Sequence, residues 1–200
     1  LINDAAILAP LFEIATNDAS LKDDALARYI QVTSASNLSN ELKYKNLRSA
    51  IEANPSVKVK NAALTALAAT QTYQGMMFAA DYMDNAETAQ AAANTVLQIA
   101  TKHPEFYSAE VKALLEKVAA TVNDGDAVYK RKDIEKFISE NTARANHSIK
   151  TELSDQEKKE GFEMLFDGVN MDAWTGNLDA YQPIDGAMYV TAAFGGTGNL

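Results

Sequence analysis

The chain of 200 residues has no cysteine, two histidines, four prolines and one tryptophan, Trp174. Without cysteine there are no disulfides, no thiolate nucleophile and no Cys-based zinc or iron–sulfur site, and the redox compartment stays open because a cysteine-free chain suits any of them. His103 and His147 lie far apart in the sequence, so neither a metal site nor a cofactor is expected. Basic residues are also scarce. The formal net charge of -9 argues against nucleic acid, because backbone binding rests on lysine and arginine neutralising phosphates, and a neutral or cationic partner fits better. No run reaches the roughly 18 apolar residues that a membrane span needs. The opening LINDAAILAPLF carries acids where a signal peptide would carry bases, which reads as a trimmed or mature end.

What is present is unevenly spread. Before Thr151 there are 16 basic and 18 acidic residues; from Thr151 onward there are 2 and 9, and seven of the nine glycines fall there as well. Composition, charge and turn chemistry shift together, as they do at a domain boundary. The expected organisation is a helical domain over 1–145, a linker over 146–153 and a second domain over 154–200.

The first part repeats. Ala25-Leu26-Ala27-Arg28-Tyr29-Ile30, Ala62-Ala63-Leu64-Thr65-Ala66-Leu67 and Ala92-Ala93-Asn94-Thr95-Val96-Leu97 carry small or apolar residues at the same four places, at offsets of 37 and then 30 residues. Ala89, Ala92, Ala93, Val96, Leu97 and Ala100 form one helical stripe, and Val111, Leu114, Leu115, Val118, Ala119 and Val122 form another. Asn54-Pro55, Asn85 and His103-Pro104 break the helices apart. Paired amphipathic helices at this period predict an α-solenoid, in which stacking supplies a core that no single pair can bury. Alanine on the stripes lets neighbouring helices approach closely. Tyr29, Tyr73, Met76, Met77, Phe78, Tyr82 and Met83 are expected to fill the space between them. The run Asn54-Pro55-Ser56-Val57-Lys58-Val59-Lys60-Asn61-Ala62-Ala63 resembles the start of a HEAT-type repeat. The concave surface of such a stack would offer room for a protein partner.

The second part changes period. Ser154-Asp155-Gln156-Glu157 fits a capping box and Gly161 a left-handed helix end, so a short capped stub is expected. Phe162, Met164 and Phe166 then alternate with Glu163 and Leu165, which predicts a strand turned by Asp167-Gly168. Tyr181-Gln182-Pro183-Ile184 and Ala187-Met188-Tyr189-Val190 flank Asp185-Gly186, a strong hairpin signal, with Pro183 confined to an edge or a bulge.

This order of elements, with Leu165-Phe166-Asp167-Gly168 followed by Trp174 and then Asp185-Gly186, resembles the beginning of the 3-keto-disaccharide hydrolase domain, formerly a domain of unknown function. The resemblance covers about Ser154 to Leu200. It implies a concanavalin-like β-sandwich from a bacterial, periplasmic or extracellular protein of carbohydrate metabolism, sometimes preceded by HEAT-like helices. A complete sandwich of that family needs further strands, so the segment is expected to be the truncated start of one and inactive alone. The fold class is thus mainly α, a HEAT-like α-solenoid followed by a truncated β-sandwich segment. The implied activity is cleavage of the glycosidic bond of 3-keto sugars, with an oligosaccharide or glycoside as substrate.

Catalytic residues are unknown at this level. Glu163, Asp167, Asp172, Asp179 and Asp185 are carboxylates in the right region, but Asp167 and Asp185 are better explained as turn residues. Trp174 is the one aromatic proposed to bind substrate, by stacking on a sugar ring, against the alternative of core packing. Asn123-Asp124-Gly125-Asp126 lacks the later ligands of a calcium loop and reads as an interhelical turn. Phe194-Gly195-Gly196-Thr197-Gly198 has no following helix to cradle phosphate, and Lys130-Arg131-Lys132 reads as a solvated face. A second reading is a non-catalytic glycan-binding or protein-interaction module, because such sandwiches serve as lectins as readily as enzymes.

Overall fold

The computed structural model describes residues 5–145, 153–166, 174–175, 181–184 and 187–190, and among these the chain is mainly helical. Eight helices follow one another: α1 (Leu8–Asn17), α2 (Lys22–Ala35), α3 (Asn40–Glu52), α4 (Val57–Leu67), α5 (Tyr73–Ala80), α6 (Ala89–Lys102), α7 (Ala109–Thr121) and α8 (Ala127–Ala145). Their starts are set by side chains that accept from orphan amides: Ser39 from Leu42, Thr72 from Gly75 and Ser108 from Val111. Asn54 and Gln71 take left-handed φ of 54° and 53° where the chain leaves one helix for the next.

Two sets of contacts organise these helices. Each packs on its immediate successor in the pairs α1/α2, α3/α4, α5/α6 and α7/α8, and in addition α2 packs on α4, α4 on α6 and α6 on α8. The even-numbered helices therefore lie side by side. Small residues make this approach close: Ala63, Ala92, Ala93 and Ala100 are all 0 % exposed. The expected stripe of α6 is buried from Ala92 to Ala100, with Ala89 half-buried, and in α7 Val111, Leu115, Val118 and Val122 are buried while Leu114 and Ala119 are half-buried. Tyr29, Tyr73, Met76 and Met83 are core residues; Met77, Phe78 and Tyr82 pack half-buried against them.

Burial corrects the repeat register by one residue. In α4 the buried residues are Ala63, Leu64 and Leu67, continuing to Ala68, while Ala62 is exposed. The equivalent positions are thus Ala25, Ala63 and Ala92, spaced 38 and 29 residues apart. Polar contacts obey the same register. Two residues before each of these alanines stand Asp23, Asn61 and Gln90, and every one reaches the segment that precedes the next even helix. The Asp23 carboxylate accepts from Ser56 N at 3.0 Å, Asn61 Nδ2 donates to the Glu87 carbonyl at 2.8 Å, and Gln90 Oε1 accepts from Asn123 N at 3.0 Å. A row of polar staples runs along one end of the even helices.

After α8, helix α9 (Asp155–Lys159) starts with the expected reciprocal capping box between Ser154 and Glu157. It ends as the glycine suggested. Gly161 has φ +86°, its amide donates to the Lys158 carbonyl at 3.3 Å and the Phe162 amide to the Glu157 carbonyl at 3.0 Å, a paired bonding pattern that satisfies the last carbonyls of the turn. The strand expected at Phe162, Met164 and Phe166 is not formed. Phe162 is 60 %, Met164 41 % and Leu165 70 % exposed, so neither face is covered, and no described strand bonds to this segment. Strands β1 (Tyr181–Ile184) and β2 (Ala187–Val190) pair antiparallel, with Ile184 opposite Ala187 and Pro183 opposite Met188. Both are edges of a two-stranded ribbon, where proline is tolerated. The turn residues Asp167, Gly168, Asp185 and Gly186 lie outside the described residues, as does the 194–198 glycine run.

Candidate functional site

Trp174 is half-buried, and its indole N–H is shielded from solvent without a hydrogen-bond partner among the described residues. Of the carboxylates considered with it, Glu163 is exposed, and Asp167, Asp172, Asp179 and Asp185 lie outside the described residues, as does His147. Among the described residues no acid or base is hydrogen-bonded to the Trp174 indole N–H. His103 caps the end of α6, stacked on Phe106 at 4.8 Å, with Nδ1 2.7 Å from Glu105 Oε1.

Polar groups in the helical part mostly serve packing. Lys130 pairs with Asp124 and donates to Asn94 Oδ1 at 2.8 Å, and Asp124 also accepts from Gln90 Nε2 at 3.0 Å. The Lys130 hydrogen bond is the main reason the Asp124 carboxyl is held below the usual carboxylate range. Arg131 donates to the carbonyls of Ala119 at 2.9 Å and Val122 at 2.6 Å, closing the end of α7. The basic run at α8 is thus not simply a solvated face, because only Lys132 of the three is free of these bonds. Asp124 Oδ1 accepts from Asp126 N at 3.2 Å, which makes Asn123–Asp126 a side-chain-stabilised turn. The Tyr73 hydroxyl donates to Glu110 Oε2 at 3.3 Å, and burial, with the Glu110 charge, pushes its phenol up.

One feature of the surface differs in kind. Short connections over 18–21 and 36–39 fold α1 and α3 back on α2, which gives the two a shared direction, and together they line an open groove of about 610 Å³. Its lining includes the pair Phe12 and Tyr29, ring centres 5.5 Å apart and tilted by 49°. Of its lining residues, Leu8, Leu38 and Leu42 come from the start of α1 and the start of α3, and Glu13, Asn46 and Ser49 come from later in the same two helices, so a shared direction sorts the apolar side chains to one end and the polar ones to the other. The Tyr29 ring is 5 % exposed, and burial raises its phenol. Among the described residues the side chains of Glu13, Asn46 and Ser49 and the Tyr29 hydroxyl make no hydrogen bond or ion pair. Periodicity along the sequence does not reveal this groove, since it is a relation between helices that are not neighbours in the chain.

Compared with protein-family models, curated proteins and solved structures, the chain has no match in any of the three. Among the described residues no three histidine or acidic side chains gather as a metal site would require, and no helix is long and apolar enough to cross a membrane.

Proposed function

We propose that the helical part is a HEAT-like α-solenoid acting as an accessory scaffold, and that 154–200 begins a 3-keto-disaccharide hydrolase-like sandwich. The protein would then be a periplasmic or extracellular carbohydrate-active hydrolase. The scaffold reading is supported by the packing of α2 on α4, α4 on α6 and α6 on α8, with staples at Asp23, Asn61 and Gln90 in one repeat register. The hydrolase reading rests on one observation, the order of the stub capped by Ser154 and Gly161, the Leu165-Phe166-Asp167-Gly168 run, Trp174 and the 181–190 ribbon.

The chemistry follows from the ketone. A C3 carbonyl acidifies the C2 proton, a general base removes it, and the resulting enolate expels the C1 substituent as an alcohol while a C1–C2 double bond forms. Water then adds at C1 as a proton returns to C2, giving the free 3-keto sugar. The step needs a base of suitable pKa and a donor at the enolate oxygen. Trp174 would stack on the ring; no base is assigned. Release of 3-keto-glucose from a 3-keto-glucoside by the protein with its complete sandwich tests the reading. Retention of an unmodified oligosaccharide without turnover would favour the non-catalytic module instead, and neither result would leave the scaffold alone standing.

A further inference from the structure

We propose that the groove between α1 and α3 binds a small neutral amphipathic molecule, a hydroxylated head on an apolar tail, of which an alkyl or aryl glycoside is the type. This assignment stands on the groove alone and does not need the hydrolase reading.

The volume of about 610 Å³ lies within the span of roughly 300–1,000 Å³ usual for small-molecule sites. The division of its lining decides the ligand. Leu8, Leu38 and Leu42 offer no polar atom and suit a hydrocarbon tail. Glu13, Asn46 and Ser49 offer a carboxylate acceptor, an amide that donates and accepts, and a hydroxyl that does both. The half-buried Phe12 ring, backed by Tyr29, gives an apolar surface for the C–H face of a sugar, and the Tyr29 hydroxyl adds a fourth polar atom. Among the described residues these four groups are unengaged, so a ligand that bonds them displaces only water. Glu13, on a chain of formal charge -9, disfavours a fatty acid, whose carboxylate would meet a like charge. A cationic amine satisfies Glu13 but cannot accept from Asn46, Ser49 or Tyr29. A polyol head both gives and accepts, and so serves all four.

The test is calorimetric titration of the chain with n-octyl glucoside below its micelle concentration, against glucose, octanoate and octylamine. Saturable one-to-one binding of the glycoside is expected, at least about tenfold tighter than each of the other three. Asn46→Leu at the polar end and Leu42→Asp at the apolar end should each weaken it by about tenfold. Leu42 is 46 % exposed, so its replacement leaves the core intact, and circular dichroism of both variants checks that they are folded. Glycoside binding no tighter than glucose or octanoate, octylamine binding tighter than the glycoside, or indifference to both folded variants would overturn the assignment. Loss of binding in Trp174→Ala with no effect of the groove variants would also overturn it, by moving the ligand to the other end of the chain, and would leave the sugar-processing reading untouched.

Discussion

The Thr95 hydroxyl crosses from α6 to α4 and donates to the Leu64 carbonyl at 2.8 Å, with Thr95 itself only 1 % exposed. Leu64 belongs to the last turn of α4, where Ala68 N turns to the Thr65 and Ala66 carbonyls. Its carbonyl is one of those that a helix end leaves unsatisfied. Thr95→Val keeps the shape and removes the donor, and should lower stability by about 1–3 kcal/mol, because a buried acceptor loses its partner. A urea midpoint equal to that of the parent chain would refute this role.

Gly75 is required by space. A Cβ there would stand 2.8 Å from Thr72 Oγ1 and 2.9 Å from Thr70 Oγ1, while Thr72 must stay in place to accept from Gly75 N at 3.1 Å. Gly75→Ala should destabilise by about 1–3 kcal/mol despite alanine's better helix propensity. Adding Thr70→Ala removes one of the two obstacles and should recover part of the loss; a thermal melt of the single variant at or above the parent midpoint would contradict the clash.

Acid sensitivity should trace in part to Asp23 and Asp124. Asp23 is held below the usual carboxylate range chiefly by the Ser56 hydrogen bonds, and Asp124 chiefly by the Lys130 one. A carboxyl depressed in the folded chain contributes stability above its unfolded pKa, and that contribution is lost as pH falls through the folded value, a window starting near pH 4 and running downward. The Asp23→Asn, Asp124→Asn double variant should lose less stability than the parent between pH 5 and pH 2. Parallel curves of unfolding midpoint against pH would show that other groups govern acid unfolding.

At the alkaline end the sign reverses for Tyr73. Its phenol is raised first by burial and then by Glu110, so the neutral form is favoured in the folded chain and the stability it contributes is lost as pH rises above about 10. Tyr73→Phe should cost little at neutral pH, since the 3.3 Å bond to Glu110 is long, and should move alkaline unfolding to higher pH. An unchanged alkaline midpoint would assign that transition to other groups.

How much of this was readable beforehand depends on the kind of signal. The α6 stripe and the Ser154 box are local and periodic, and both are formed. Ala62 and Ala63 are equivalent as letters, and only the burial of Leu64 and the reach of Asn61 to Glu87 distinguish their registers. Lys130 and Arg131 read as surface charge, yet Asn94 of α6 and the carbonyls ending α7 reach them only once α8 has packed on α6 and α7. The alternation from Phe162 to Phe166 is real in sequence, but a strand exists only against a neighbour, and none of the described strands supplies one. Of the candidate site, Trp174 is visible as the single tryptophan; the groove is not, because Glu13 and Asn46 come to one lining only when α1 and α3 both pack on α2.

Helix α6 touches α4, α5, α7 and α8, whereas α1 at one extremity leans chiefly on α2. Order in this molecule is therefore graded rather than uniform. Loosening should begin at the extremities, α1 and α8, and reach the middle last, so that the amides of α6 are the last to exchange with solvent.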